Sequence, residues 1–92
     1  MNDDLMLAML KIDLGIKTSV YDPRLAQYIT SAKKEIKREG VTLSAPLSVD
    51  DANLVIHYAA WLWRKRDDNA AMPRMLRWQI NNRLFGYYED SQ

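Results

Sequence analysis

The stretch that most constrains this chain is residues 48–66, where Ala52, Leu54, Val55, Ile56, Tyr58, Ala59, Ala60, Trp61, Leu62 and Trp63 crowd together. Placed at 3.6 residues per turn, they cover most of a helix circumference and leave only Asn53, His57 and Arg64 as a polar strip. A helix apolar nearly all round must be buried on more than one side. A chain of 92 residues hides only a little over ~60% of its unfolded surface, so three flanking helices are expected to fall short, and a neighbouring subunit is the expected cover. Ser48 followed by Asp51 resembles a capping box with Asp in place of the usual Glu, which marks the start of this helix. Arg64, Lys65 and Arg66 carry the right sign for its C-terminal end.

Three further helices are predicted around it. Residues 22–40 form the clearest: Asp22 can cap the free amides, Pro23 suits the first helical position, and Gly40 supplies the stop. Leu25, Tyr28, Ile29, Ala32 and Ile36 fall on one stripe of that helix. Residues 72–85 open on Met72-Pro73, carry the stripe Leu76, Ile80 and Leu84, and end before Gly86. A short first helix covers residues 3–11, with Asp3 and Asp4 at its positive end. Residues 12–21, with Gly15 and the alternating Ile16 and Val20, read as a loop with some extended character, and residues 41–47, with Pro46, as a connector. The fold class is therefore all-α: a small bundle of three to four helices with a loop between the first and second. One domain is expected over residues 1–86, and residues 87–92 are expected to form a flexible or partner-bound tail.

Chemistry has little to work with here. The single histidine, His57, has no His or Glu three or four positions away, and Asn53 and Arg64 are poor metal ligands, so a structural or solvent-facing role is expected. Asp50-Asp51 and Asp67-Asp68 sit at helix boundaries, where capping accounts for them. Gly15, Gly40 and Gly86 are isolated and cradle no phosphate. The absence of cysteine removes disulfides, thiolate metal sites and thiol nucleophiles, and fits a reducing compartment. No enzyme activity, cofactor or metal is expected. Nor is a membrane partner, since no apolar run approaches ~18 residues and the acidic Asn2-Asp3-Asp4 start is unlike a signal peptide.

Association is the more promising direction. Hydrophobic residues make up 48% of the chain, high for so small a body, and some of that surface is expected to meet a partner. With 13 Lys and Arg against 12 Asp and Glu, charge position matters more than charge total. Lys33, Lys34, Lys37 and Arg38 gather away from the apolar stripe of their helix, with like charges at i,i+4. An acidic partner or DNA would relieve them, as would a plain solvated face tempered by Glu35 and Glu39. In the last helix Arg74, Arg77 and Asn81 share a side close to Trp78 and Phe85, a mixture suited to protein or nucleic-acid contact. A small helix-turn-helix regulator would use Arg74, Arg77, Gln79 and Asn81 to read bases. The 66–72 connection is longer than the usual turn of that motif, and the net charge is low.

Four stretches carry a resemblance to a known family: residues 22–29 (DPRLAQYI), 32–40 (AKKEIKREG), 55–66 (VIHYAAWLWRKR) and 72–85 (MPRMLRWQINNRLF). Together they resemble the small head-tail connector, or head completion, proteins of long-tailed bacteriophages and prophages, over nearly the whole chain. The resemblance implies a structural virion protein at the head-tail junction, assembled from the host cytoplasm. Its partners would be copies of itself in a ring, commonly twelve-fold, the portal protein, and tail or head-closure proteins, with weak non-specific contact to the DNA that passes through. Under that reading Tyr58, Trp61, Leu62, Arg74, Arg77 and Trp78 are the expected protomer interface. Lys33, Lys34, Lys37 and Arg38 are the expected basic face toward channel DNA or an acidic partner. Tyr87, Tyr88, Glu89 and Asp90, together with the 12–21 loop, are the expected portal-docking segments.

Overall fold

The computed structural model of the protein describes residues 2–90, with side chains described over residues 2–85. Four helices and no strand are present among them: α1 (Asp3–Leu14), α2 (Asp22–Arg38), α3 (Val49–Asp68) and α4 (Arg74–Asp90). The fold is an all-α bundle with α3 as its axis. α3 packs against each of the other three helices, most extensively α2, and α1 also packs on α2. The body is elongated, measuring 47 × 29 × 18 Å. No helix among the described residues is long and apolar enough to cross a membrane.

α1 starts where the Asn2 side chain accepts the Leu5 N–H at 2.7 Å, and it runs on to Leu14 rather than stopping at Lys11. The stop is Gly15, whose left-handed φ of 72° lets the Ile16 N–H reach the Lys11 carbonyl at 2.9 Å. The loop to α2 is correspondingly shorter and has no extended pairing. An ion pair of 2.9 Å between Lys11 and Asp22 closes it. Asp22 therefore does not cap α2: the capping position is Tyr21, which supplies no side-chain bond, and the carboxylate is spent on Lys11 instead.

The expected shortage of cover around α3 is not found. Ala52, Leu54, Val55, Ile56, Tyr58, Ala59, Ala60 and Trp63 are all buried within the chain itself. Two features account for this. Ala52, Ala59 and Ala60 on α3 are small enough for neighbouring helices to pack closely, and α1 places Met6 and Leu10, both fully buried, in one core with Leu25, Ile29, Ala32 and Ile36 of α2. Leu76 and Ile80 of α4 close the remaining side. At the C-terminal end of α3, Trp63 meets the edges of Tyr21 and Tyr28 with centroids 5.4 and 5.8 Å away, while the Arg66 guanidinium lies 3.5 Å over its ring.

The N-terminal end of α3 is built around one carboxylate. Ser48 caps the helix, accepting the Asp51 N–H at 3.1 Å. The reciprocal bond of a capping box goes through an intermediary, because the Asp51 carboxylate does not reach back to Ser48. It accepts both the N–H and the hydroxyl of Ser44, each at 2.8 Å, and the Ser44 Oγ in turn accepts the Ser48 N–H at 2.8 Å. Its second oxygen takes the Arg83 guanidinium from α4. Burial alone would raise the Asp51 pKa, but the Ser44 N–H, Arg83 and the Ser44 hydroxyl outweigh it and hold the carboxyl below its ordinary value.

α4 meets the end of α2 at Gly40, whose φ is 102° and where an added Cβ would sit 3.3 Å from Leu84 Cδ2. Gly40→Ala is expected to cost about 1–3 kcal/mol from backbone strain alone, read as a lower urea midpoint with an unchanged slope. A second expectation concerns acid. A carboxyl with a depressed folded pKa contributes stability that is present above its unfolded value of about 3.9 and is lost as pH falls through the folded value. Asp51→Asn should therefore lose about 1–3 kcal/mol at pH 7 and flatten the decline in stability below about pH 4, measured by urea titration from pH 7 down to pH 3.

Candidate functional site

α4 carries two apolar faces. Leu76 and Ile80 are buried against the bundle, with Leu84 half-buried beside them. Met75, Trp78 and Phe85 lie on the opposite side with Asn82 between them, at spacings of three, four and three residues that keep all four on one stripe. Met75, Trp78 and Phe85 are 68%, 59% and 67% exposed, so the stripe is apolar surface left open to solvent by the fold. An exposed apolar stripe of this kind is a candidate interaction surface.

Polar groups rim the stripe. On one flank His57 Nδ1 and Gln79 Oε1 are 3.3 Å apart, and a groove of about 250 Å³ opens there between α3 and α4, lined by Asp50, Asn53, His57, Trp78, Asn82 and Arg83 among others. On the other flank Arg77 pairs with Glu39 at the end of α2, and Arg74 is exposed. Apolar surface is also exposed at Ile12, near the end of α1, and at Val20 and Tyr21, just before α2, by 80%, 76% and 48%.

The residues expected at a protomer interface divide between inside and outside. Tyr58 is buried, with its ring edge-on to Trp61 at 5.3 Å, and offers no surface to a neighbour. Burial, together with the carboxylates of Glu39 and Glu35, pushes its phenol above the ordinary pKa. Trp61 and Leu62 are half-buried and packed against the chain's own core. Trp61 Nε1 donates to the Ala70 carbonyl at 3.2 Å and Lys65 sits 4.5 Å over its ring, so this indole anchors the α3–α4 turn. The reason is the tight cover of α3, which turns Tyr58 inward and leaves Trp61 and Leu62 half-buried. Arg74, Arg77 and Trp78 do share the outer part of α4.

Of the expected basic face, Lys33 holds Asp3 and Arg38 holds Glu35, both at 3.2 Å, while Lys34 and Lys37 form no ion pair among the described residues. The side chains of Tyr87, Tyr88, Glu89 and Asp90 lie outside the described residues, although α4 itself continues to Asp90 rather than ending before Gly86. A lone glycine costs a helix only ~1 kcal/mol and does not end it by itself.

Sequence reasoning missed Arg83, which fixes α4 to Asp51, and did not separate Met75 from its neighbours. The 3-4-3 spacing of Met75, Trp78, Asn82 and Phe85 was the available signal. Among the described residues no group of three or more His, Cys, Asp or Glu side chains is placed to hold a metal ion. No protein-family model matches the chain, and neither a curated protein nor a solved structure matches it.

The inward role of Trp61 has a direct test. Trp61→Ala should lower stability by about 2–3 kcal/mol, less than a fully buried tryptophan would, and should do so at every protein concentration. A loss confined to concentrations at which the chain self-associates would instead return Trp61 to an interface.

Proposed function

We propose that the chain is a structural virion protein, a head-tail connector subunit that packs side by side into a ring beneath the portal of a tailed bacteriophage and surrounds the DNA passage. One observation carries this reading: α4 presents an apolar stripe of Met75, Trp78 and Phe85 directly opposite the face it buries. A helix with two apolar faces holds its own bundle with one and has the other to give to a neighbour. The resemblance of residues 22–85 to connector proteins supports the same conclusion.

A ring needs two different complementary patches on each subunit, because a head-to-tail contact repeats around an axis and closes when the rotation fits. The α4 stripe exposes roughly 400 Å² of side chain on the usual areas of large aromatic and apolar residues. A standard interface takes about 800 Å² from each partner, so the stripe supplies only part of one. In this proposal the stripe meets the apolar side chains that the adjacent subunit exposes at Ile12, near the end of α1, and at Val20 and Tyr21, just before α2.

The geometry gives the alternative, a helix-turn-helix regulator, less to use. Of its expected base readers, Arg77 is held by Glu39 and Gln79 contacts His57, and residues 69–73 separate the two helices.

The test is electron microscopy of the protein mixed with the portal protein of the same genome neighbourhood. Added ring density is expected with the wild-type chain and none with Trp78→Glu or Val20→Glu, both of which should remain folded by circular dichroism. Mixing those two variants should give paired subunits at most, since one intact stripe then meets one intact partner patch. Complete rings from Trp78→Glu would overturn the reading.

A further inference from the structure

We infer that the groove between α3 and α4 beside Trp78 is a binding site for a neutral saccharide built of glucose-like rings. Two facing rows of side chains make the groove. α3 contributes Asp50, Asn53 and His57, spaced three and four residues apart, so that they share one side of the helix. α4 contributes Trp78, Gln79 and Asn82, which lie within about one turn of each other. The cavity between the rows is about 250 Å³.

Most of the hydrogen-bonding capacity of these rows is unspent. The side chains of Asp50, Asn53 and Asn82 make no hydrogen bond or ion pair among the described residues. Gln79 Oε1 accepts from His57 Nδ1 at 3.3 Å, which leaves the Gln79 amide N–H groups free to donate. Asn53 is half-buried, so a ligand that supplies partners for its amide relieves a group that water reaches poorly. Arg83 also lines the groove, but its guanidinium is taken by Asp51.

The chemistry of the lining selects its ligand. A sugar hydroxyl both donates and accepts, and the carboxylate of Asp50 with the amides of Asn53, Gln79 and Asn82 offers both roles from two walls. A glucose-type ring carries its hydroxyls equatorially, which leaves flat faces of C–H groups whose weakly positive hydrogens suit the negative face of an indole. Trp78, 59% exposed, supplies that indole. An anion would meet the free Asp50 carboxylate with the groove's arginine already taken. A wholly apolar ligand would leave the free amides without partners. The site stands apart from the connector reading, although it uses the same tryptophan, so a bound saccharide and a neighbouring subunit exclude one another at Trp78.

The experiment titrates cellobiose into the full chain carrying Val20→Glu and follows the protein by heteronuclear NMR. Val20 does not line the groove, and its replacement keeps a neighbouring subunit off Trp78, so a failure of the ring proposal leaves this test intact and a failure here leaves that proposal standing. Cellobiose should shift the Trp78 indole N–H signal saturably, while the Trp61 indole, which donates to Ala70, keeps its position. Trp78→Ala, followed at the backbone amide of Asn82, should weaken binding about tenfold, the upper end of what an aromatic face contributes. Asn82→Leu, followed at the Trp78 indole, should weaken it by roughly three- to tenfold for the lost hydrogen bonds. Both variants should keep the helical circular dichroism of the parent. Absence of any shift, equal shifts of the Trp61 and Trp78 indoles, undiminished affinity in both variants, or tighter binding of adenosine or of an acetylated alanine tripeptide amide would each overturn the inference.

Discussion

A buried carboxylate is tolerable only when its hydrogen bonds are filled, and Asp51 meets that condition by binding three parts of the chain at once. Its oxygens take Ser44 from the connector and Arg83 from α4, while its backbone N–H is capped by Ser48. Take the charge away and the connector, the start of α3 and the position of α4 lose their common reference. The arrangement is costly to break because removing one partner leaves the others desolvated and unpaired. That asymmetry fixes α4 in one rotation, with Leu76 and Ile80 inward and Met75, Trp78 and Phe85 outward. The candidate interaction surface is in this sense a consequence of a polar contact some distance from it.

Much of the fold is legible in the amino-acid order, and the parts that are not share a cause. Ser48 as a cap, Pro23 and Pro73 at helix starts, and the stripe of Leu25, Ile29, Ala32 and Ile36 are local signals, and local signals survive without a structure. The role of Asp22 depends on where Lys11 arrives, and the role of Asp51 on an arginine far along the chain. Neither partner is visible from spacing. Gly15 was readable as a breaker but not as the residue that lengthens α1 by satisfying its last carbonyls.

The largest misreading concerns α3, and it is instructive about apolar excess. A helix apolar around most of its circumference argues for cover from several directions, and that inference was sound. The chain provides the cover itself, because alanines on α3 let three thin helices come close enough to do the work of larger ones. Surplus apolar surface then had to lie elsewhere, and it does, on the outer side of α4 and near the α1–α2 loop. For the candidate site, Arg74, Arg77 and Trp78 were legible as neighbours from helical spacing. The burial of Tyr58 and the half-burial of Trp61 were not, since exposure on one helix depends on how close its neighbours stand.

The attachment of α4 also sets the order in which the molecule comes apart. α1, α2 and α3 each pack on the other two, whereas α4 adheres to α3 and the end of α2 along one edge, secured by Arg83, Arg77 and a short apolar row. A segment held in this way is expected to open before the three helices beneath it, at a lower free energy. Its amide protons would exchange with solvent while those of α3 stay protected. An opening of this kind would bare Leu76, Ile80 and the core they cover, adding a second apolar face to the one α4 already exposes.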